Sequence, residues 1–409
     1  MLNVIWIAFF VIAFVTGLIK LIFLGDAEVF TRIMLAMFDL AKTAFEIALG
    51  LTGILTLWLG VMRIGERSGF IYLLTAALAP LFRRLMPEIP EKHPALGSMV
   101  MNIAANALGL DNAATPMGIK AMKELQTLNP NPDTASNAQI LFLVINTSSV
   151  TLFPVTIFTY RAQLGAANPT DVFIPILIAT YMSTLCGLLA VAAMQRINLL
   201  ERTVLAYLIG ITAAIGGVLY YFSGLEQAAM QAQSALVSNL ILFTLVITFI
   251  AGAAYKRINA YEAFVEGAKE GFQTAVMIIP YLVAMLVAIG VFRASGALDL
   301  LSDAIRYAVN AASLDGRFVD ALPTALIKPF SGSGARAMMI DAMQTFGADS
   351  FTGRTASIVQ GSTETTFYVL AVYFGAAGIK NIRHAVGCGI IADFAGILAA
   401  ISVAYWFFG

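Results

Sequence analysis

The sequence predicts an all-α integral membrane protein with about nine transmembrane helices and two re-entrant helical hairpins, arranged as two inverted-topology repeats. Three observations lead there. Hydrophobic residues make up 59% of the 409 and charged ones only 12%, where a water-soluble domain carries about 25% charged residues. Apolar runs long enough to cross a ~30 Å hydrocarbon core recur from one end of the chain to the other. The order of segments in the first half is then repeated in the second.

Runs of spanning length fall at 4–24, 46–64, 136–164, 171–196, 201–222, 235–256, 273–293, 354–379 and 384–408. The first has no basic leader and no small-residue cleavage site, so it reads as a retained helix rather than a signal peptide. Ala27–Phe45, Phe70–Leu85, Asn259–Phe272 and Leu298–Ala312 carry charges that recur on one face, as suits separate helices lying along the interface. Segments 94–127 and 319–346 are too polar at the centre for a plain span and too apolar for an external loop. Re-entrant hairpins satisfy both conditions. Trp6, Trp58 and Trp406 are placed to mark membrane interfaces.

Basic residues choose a side. Arg63, Arg67, Arg83, Arg84 and Lys92 follow the second span, Arg196 and Arg202 join the fourth and fifth, Lys256, Arg257 and Lys269 follow the sixth, and Lys380 and Arg383 precede the last. Placing all of these in the cytoplasm puts the N-terminus there too, in a bacterial inner membrane. Arg293, Arg306 and Arg317 fall on the opposite side and do not fit this topology.

Ala41–Gly69 aligns without gaps on Ala268–Gly296, pairing Lys42 with Lys269, Phe45 with Phe272, Ser68 with Ser295 and Gly69 with Gly296. Further on, Ala121-Met122 meets Ala342-Met343, and 147–151 meets 362–366. The domains expected are therefore a first repeat over 1–198, a linker helix over 199–230 and a second repeat over 231–409. An odd number of crossings between equivalent points inverts one repeat relative to the other, a recurrent plan of secondary transporters.

Polar residues inside the apolar segments are the candidates for a site. In the first hairpin a helix is expected to break at Gly109 and restart after Asn112 or Thr115, with Pro116 in its first turn and a freed N-terminus inside the membrane. In the next span Asn146, Thr147, Ser148 and Ser149 precede Pro154, where they can unwind the helix and present oxygens, or simply join neighbouring helices. The second hairpin offers Ser331, Ser333 and Arg336, with Asp341 as a partner for Arg336 five residues on. Ser362, Thr363, Glu364 and Thr365 open the matching span. Glu364 stands out, because a carboxylate at a helix centre costs about 2.5–3.5 kcal/mol on insertion scales. An ion, a proton, a substrate or Arg336 would offset that. Asp393, in the last span, raises the same question.

Other functions are disfavoured. The 24 basic and 24 acidic residues balance, so nucleic acid is not an expected partner. Cys186 and Cys388 lie in apolar runs and imply neither disulfides nor a metal site. No HExxH or GxSxG motif supports an intramembrane enzyme.

At these residues the chain resembles a known group. LGLDNAATPMGIKAMKELQ with NTSSVTLFP looks like spore maturation protein A, and SGSGARAMMIDAM with GSTETTFYVLAVYFG looks like spore maturation protein B. The whole resembles a fusion of the two, each with a nucleoside-recognition, or Gate, domain of the kind shared with concentrative nucleoside transporters. The resemblance implies that both hairpins and both broken spans hold a small polar, anionic or nucleoside-like solute. Transport would run by alternating access coupled to Na⁺ or H⁺, with no other cofactor, in a homo-oligomer embedded in the lipid bilayer. A membrane scaffold or regulator of cell-envelope enzymes is the alternative.

Overall fold

The computed structural model describes every residue except 1, 91, 109, 110, 149 and 150; the side chains of 2 and 111–113 also lie outside the description. Among the described residues all regular structure is helical, apart from one parallel bridge between Thr134 and Asn381. Seven helices are long and apolar enough to cross a membrane. These are α1 (Leu2–Leu24), α2 (Val29–Arg67), α8 (Phe173–Gln195), α9 (Arg202–Ser223), α10 (Gln227–Tyr255), α11 (Ala260–Ala294) and α17 (Ala385–Phe408). The expected spans 136–164 and 354–379 are each occupied by two shorter helices, α6 (Asn137–Ser148) and α7 (Val155–Gln163) in the first, α15 (Phe351–Ser362) and α16 (Thr366–Ala377) in the second. The seven long helices make the chain a multi-pass membrane protein, and at the two other expected spans the helix is broken in two.

Both expected hairpins are helix–break–helix units. The first is α4 (Pro94–Ala107) with α5 (Asp111–Gln126); the second is a 3₁₀ turn (Val319–Ala321) and α13 (Leu322–Ile327) followed by α14 (Gly332–Phe346). Helices α3 (Phe70–Leu85) and α12 (Ala297–Ala311) occupy the expected amphipathic stretches.

Two expectations are corrected. Ala27–Phe45 and Asn259–Phe272 are not separate interfacial helices, because each continues unbroken into the following span as the first part of α2 (39 residues) or α11 (35 residues). No proline or left-handed glycine lies between amphipathic and apolar parts, so nothing stops the hydrogen-bond ladder; Pro280 is carried inside α11. In the first hairpin α5 starts at Asp111, leaving Pro116 inside the helix rather than in its first turn.

The αL turns mark the repeat. Gly69 (φ 85°) precedes α3 and Gly296 (φ 83°) precedes α12, the two residues paired by the sequence alignment. Ser68 Oγ donates to the Gly65 carbonyl at 2.7 Å, and Ser295 Oγ to the Phe292 carbonyl at 2.8 Å. Equivalent residues thus make equivalent bonds at the ends of α2 and α11.

The chain forms two compact units. One contains residues 1–59, 156–169 and 268–360, and the other 60–155, 170–267 and 361–409. Two of the boundaries fall beside the helix breaks, and two others fall inside α2 and α11. The first unit therefore holds the second hairpin with α15 up to Gln360 and α7, while the other holds the first hairpin with α6 and α16. Each unit combines a hairpin, the leading half of its own broken span and the trailing half of the other one.

A clasp ties the trailing half in each case. In one unit the Lys380 and Asn381 amides donate to the Asp133 carbonyl at 3.0 and 2.8 Å, and Lys380 Nζ lies 3.3 Å from the Asp133 carboxylate. In the other, Arg161 at the end of α7 meets Asp349 at 3.2 Å. Trp6 donates its indole N–H to the Ala284 carbonyl of α11 at 3.0 Å, which makes it a link between helices as well as a candidate interfacial residue.

Candidate functional site

The first hairpin brings amides into the apolar interior. Asn102 and Asn106 are four residues apart and share a face of α4. Asn102 is fully buried; its Nδ2 donates to the Ala114 carbonyl in α5 at 2.7 Å and to the Tyr373 hydroxyl at 3.3 Å. Asn106 Nδ2 donates to Asn146 Oδ1 at 2.9 Å, and the Tyr373 hydroxyl reaches the same oxygen at 3.4 Å. Asn146 Nδ2 is held by the Phe142 carbonyl at 2.9 Å. Tyr373 can approach because Gly118 faces it, and a side chain there would overlap the phenol. The Phe142 ring stacks on Tyr373 with centroids 5.9 Å apart. Asn102 Oδ1 has no hydrogen-bond partner among the described residues.

The break between α15 and α16 meets the C-terminal end of α6 beside this network. The Glu364 amide donates to the Thr147 carbonyl at 2.8 Å, and Thr180 Oγ1 of α8 donates to the Ser148 carbonyl at 3.4 Å. These carbonyls lie at the C-terminal end of α6, where four would otherwise lack helical partners. Thr147 Oγ1 and Ser148 Oγ donate back to Val144 and Ile145 at 3.0 and 3.1 Å, leaving their lone pairs as acceptors. The Thr363 and Thr366 hydroxyls are buried with no hydrogen-bond partner among the described residues. Helix α17 supports the break with a stripe at i, i+4 and i+7: Gly389 faces Thr366 and Thr147, Gly396 faces Thr363, and the buried Asp393 falls between them.

Glu364 itself is exposed and has no ion-pair partner among the described residues. Ser362, Thr363 and Thr365 are buried around it, and Thr115 in α5 is half-buried. This unit therefore holds Thr115, Asn146, Thr147, Ser148 and Ser362–Thr365. The side chains of Asn112 and Ser149 lie outside the described residues.

The other unit holds Ser331, Ser333 and Arg336. Ser331 caps α14, its Oγ accepting the Gly334 amide at 2.9 Å and lying 3.3 Å from Ser333 Oγ. This is the usual role of serine before a helix. The Arg336 guanidinium lies over the Tyr160 ring at 5.8 Å, a cation–π distance.

Arg336 does not pair with Asp341. Five residues turn a helix through about 500°, which leaves the two side chains about 140° apart. Asp341 instead pairs with Arg293, whose Nε lies 3.1 Å from its carboxylate. Arg293, one of the basic residues that did not fit the charge topology, is thus neutralised within the fold.

Sequence reasoning missed Arg161. It is fully buried, and besides Asp349 it donates to the Ala348 carbonyl at 2.7 Å and to the Pro169 carbonyl at 3.1 Å. A lone guanidinium inside the expected 136–164 span carried the same desolvation signal as Glu364. Tyr373 was also missed, and nothing local distinguishes it from other aromatic residues of apolar helices.

Hairpins packed against broken helices, with polar side chains at the breaks, define a class of membrane proteins with discontinuous spans. A family profile described as Gate, nucleoside recognition, matches residues 48–164 and 275–380, and the chain belongs to that family. It is 46% identical over 177 residues to spore maturation protein B of Bacillus subtilis (strain 168), covering 42% of this chain and 98% of that protein. It is 39% identical over 183 residues to spore maturation protein A of the same organism, covering 45% of this chain and 90% of that protein.

Proposed function

We propose that the chain is a secondary transporter of a small polar solute, working by alternating access in the bacterial inner membrane with its N-terminus in the cytoplasm. The observation that carries this reading is the meeting of the 363–365 break with the end of α6, where the Glu364 amide bonds the Thr147 carbonyl beside buried Thr363 and Thr366 hydroxyls that have no partner among the described residues. Unwound backbone with convergent oxygens inside a membrane marks a ligand pathway more often than a packing element. The candidate residues are Thr115, Asn146–Ser148 and Ser362–Thr365 in one unit, with Asn112 and Ser149 in the same segments, and Ser331, Ser333 and Arg336 in the other unit. The exposed Glu364 carboxylate is the group that would couple movement to Na⁺ or H⁺. No enzymatic step is part of this reading, and the working form is a homo-oligomer.

The test is uptake into proteoliposomes containing the purified chain, with nucleosides and small organic anions as solutes under imposed Na⁺ or H⁺ gradients. Gradient-dependent uptake that Glu364→Gln abolishes is expected. Absence of uptake for every solute under both gradients, or full uptake by Glu364→Gln, would overturn the assignment.

One observation favours a second reading, a membrane scaffold acting on cell-envelope enzymes. The Asn106, Asn146 and Tyr373 side chains satisfy one another, as helix-joining groups do. The relatives' names, which tie them to spore maturation, fit such a role. Copurification of envelope enzymes with a transport-inactive chain is the result it requires.

A further inference from the structure

Away from the helix breaks, a cavity of about 310 Å³ opens between α3 and the start of α4. Thr75, Ala79 and Arg83 contribute from α3 at four-residue spacing, so they form one stripe along the helix. Lys92, Leu96, Gly97 and Val100 close the opposite wall.

The lining is divided by chemistry. Arg83 and Lys92 are exposed, and among the described residues neither has an ion-pair partner and no carboxylate lines the cavity. Leu96 and Val100 are buried and Ala79 half-buried, so apart from Thr75 and His93 the remaining wall is apolar. His93 is already engaged: its Nδ1 accepts the Ala95 amide at 3.3 Å, so the hydrogen is on Nε2 and points to Thr127 Oγ1 at 3.3 Å. The Thr75 hydroxyl is buried without a hydrogen-bond partner among the described residues. A Cβ added at Gly97 would meet nothing within 4 Å. The glycine therefore leaves a real opening in the wall.

Two exposed cations at the rim, a mainly apolar wall behind them and an amphipathic helix along one side match a single kind of occupant. We propose that this cavity binds an anionic phospholipid, with its phosphate at Arg83 and Lys92 and the beginning of one acyl chain running past Ala79 and Gly97. Basic pockets at headgroup depth recognise anionic lipids by this combination of charge and shape. A zwitterionic lipid brings its own cation and gains less from the same rim.

The experiment uses the full-length chain in nanodiscs of phosphatidylcholine, with or without phosphatidylglycerol, and counts retained lipids by native mass spectrometry. Wild type is expected to retain phosphatidylglycerol in preference to phosphatidylcholine. Arg83→Gln with Lys92→Gln should weaken that retention roughly twenty-five-fold, about fivefold for each charge removed. Gly97→Leu, which fills the channel without altering charge, should weaken it as well while the protein elutes as an intact species. Equal retention of both lipids, or retention unchanged in the charge variant, overturns the proposal. Displacement of phosphatidylglycerol by inorganic phosphate, with Gly97→Leu behaving as wild type, also overturns it by showing a site for soluble anions.

Discussion

Arg161 is fully buried and points its guanidinium at Asp349, 3.2 Å away and 188 residues later in the chain. The same guanidinium donates to the Ala348 and Pro169 carbonyls. One planar fork therefore fixes the end of α7 against the loop between α14 and α15.

Arg161→Ala should lower stability by about 2–3 kcal/mol, less than the ~3–5 kcal/mol of a fully buried pair because the Asp349 side chain is 36% exposed. Arg161→Lys should recover little, since a single ammonium cannot span acceptors placed for a fork. Thermal unfolding in detergent measures both, and wild-type stability in Arg161→Ala would refute the clasp.

Gly69 and Gly296 hold the same left-handed turn at φ 85° and 83°. Alanine at either position should cost about 1–2 kcal/mol of backbone strain. The two costs should be similar, because only the flexible ends of Lys256 and Lys20 must move aside. A large loss at one position with none at the other would break the structural equivalence.

Arg293 and Asp341 form a partly buried pair. Either single change, Arg293→Met or Asp341→Leu, strands its partner, whereas the double change leaves no charge behind. A double-mutant cycle should give a coupling of about 1–3 kcal/mol. Additive effects would show that the two groups do not share an interaction.

His384 lies just before α17, where burial first and the neighbouring Arg383 charge second hold its pKa below the usual 6.5. The Gln195 amide lies 3.1 Å from its Nε2 and also donates to the Asn137 carbonyl. The fold therefore favours the neutral ring. That contribution is fully present above pH 6.5 and is lost as pH falls through the ordinary value and then the lower folded one. Melting temperature should drop between about pH 7 and pH 5 in wild type, and less in His384→Gln. Identical pH profiles would remove His384 from the account.

Features resting on local chemistry could be read from the sequence. The alignment of Ala41–Gly69 on Ala268–Gly296 pairs the two glycines that take the same turn, and Pro154 with the small polar residues before it announces a break. Relations between distant residues could not be read this way. Nothing near Asp341 shows that its cation is Arg293, since pairing across 48 residues depends on how α11 and α14 pack. The amphipathic starts of α2 and α11 misled for a related reason: a charged stripe says which face meets water, not where a helix stops. Tyr373 acquires its role only because α16 lies against α5 and α6.

The placement of α7 and α16 has a consequence for the polypeptide as a whole. If the backbone were severed between α9 and α10, the fragment carrying Asn102 and Asn146 would lack Tyr373, and the fragment carrying Asp349 would lack Arg161. Each piece would be missing a strut that only the other encodes. Covalent continuity thus guarantees one-to-one supply of two mutually dependent parts from a single translation product.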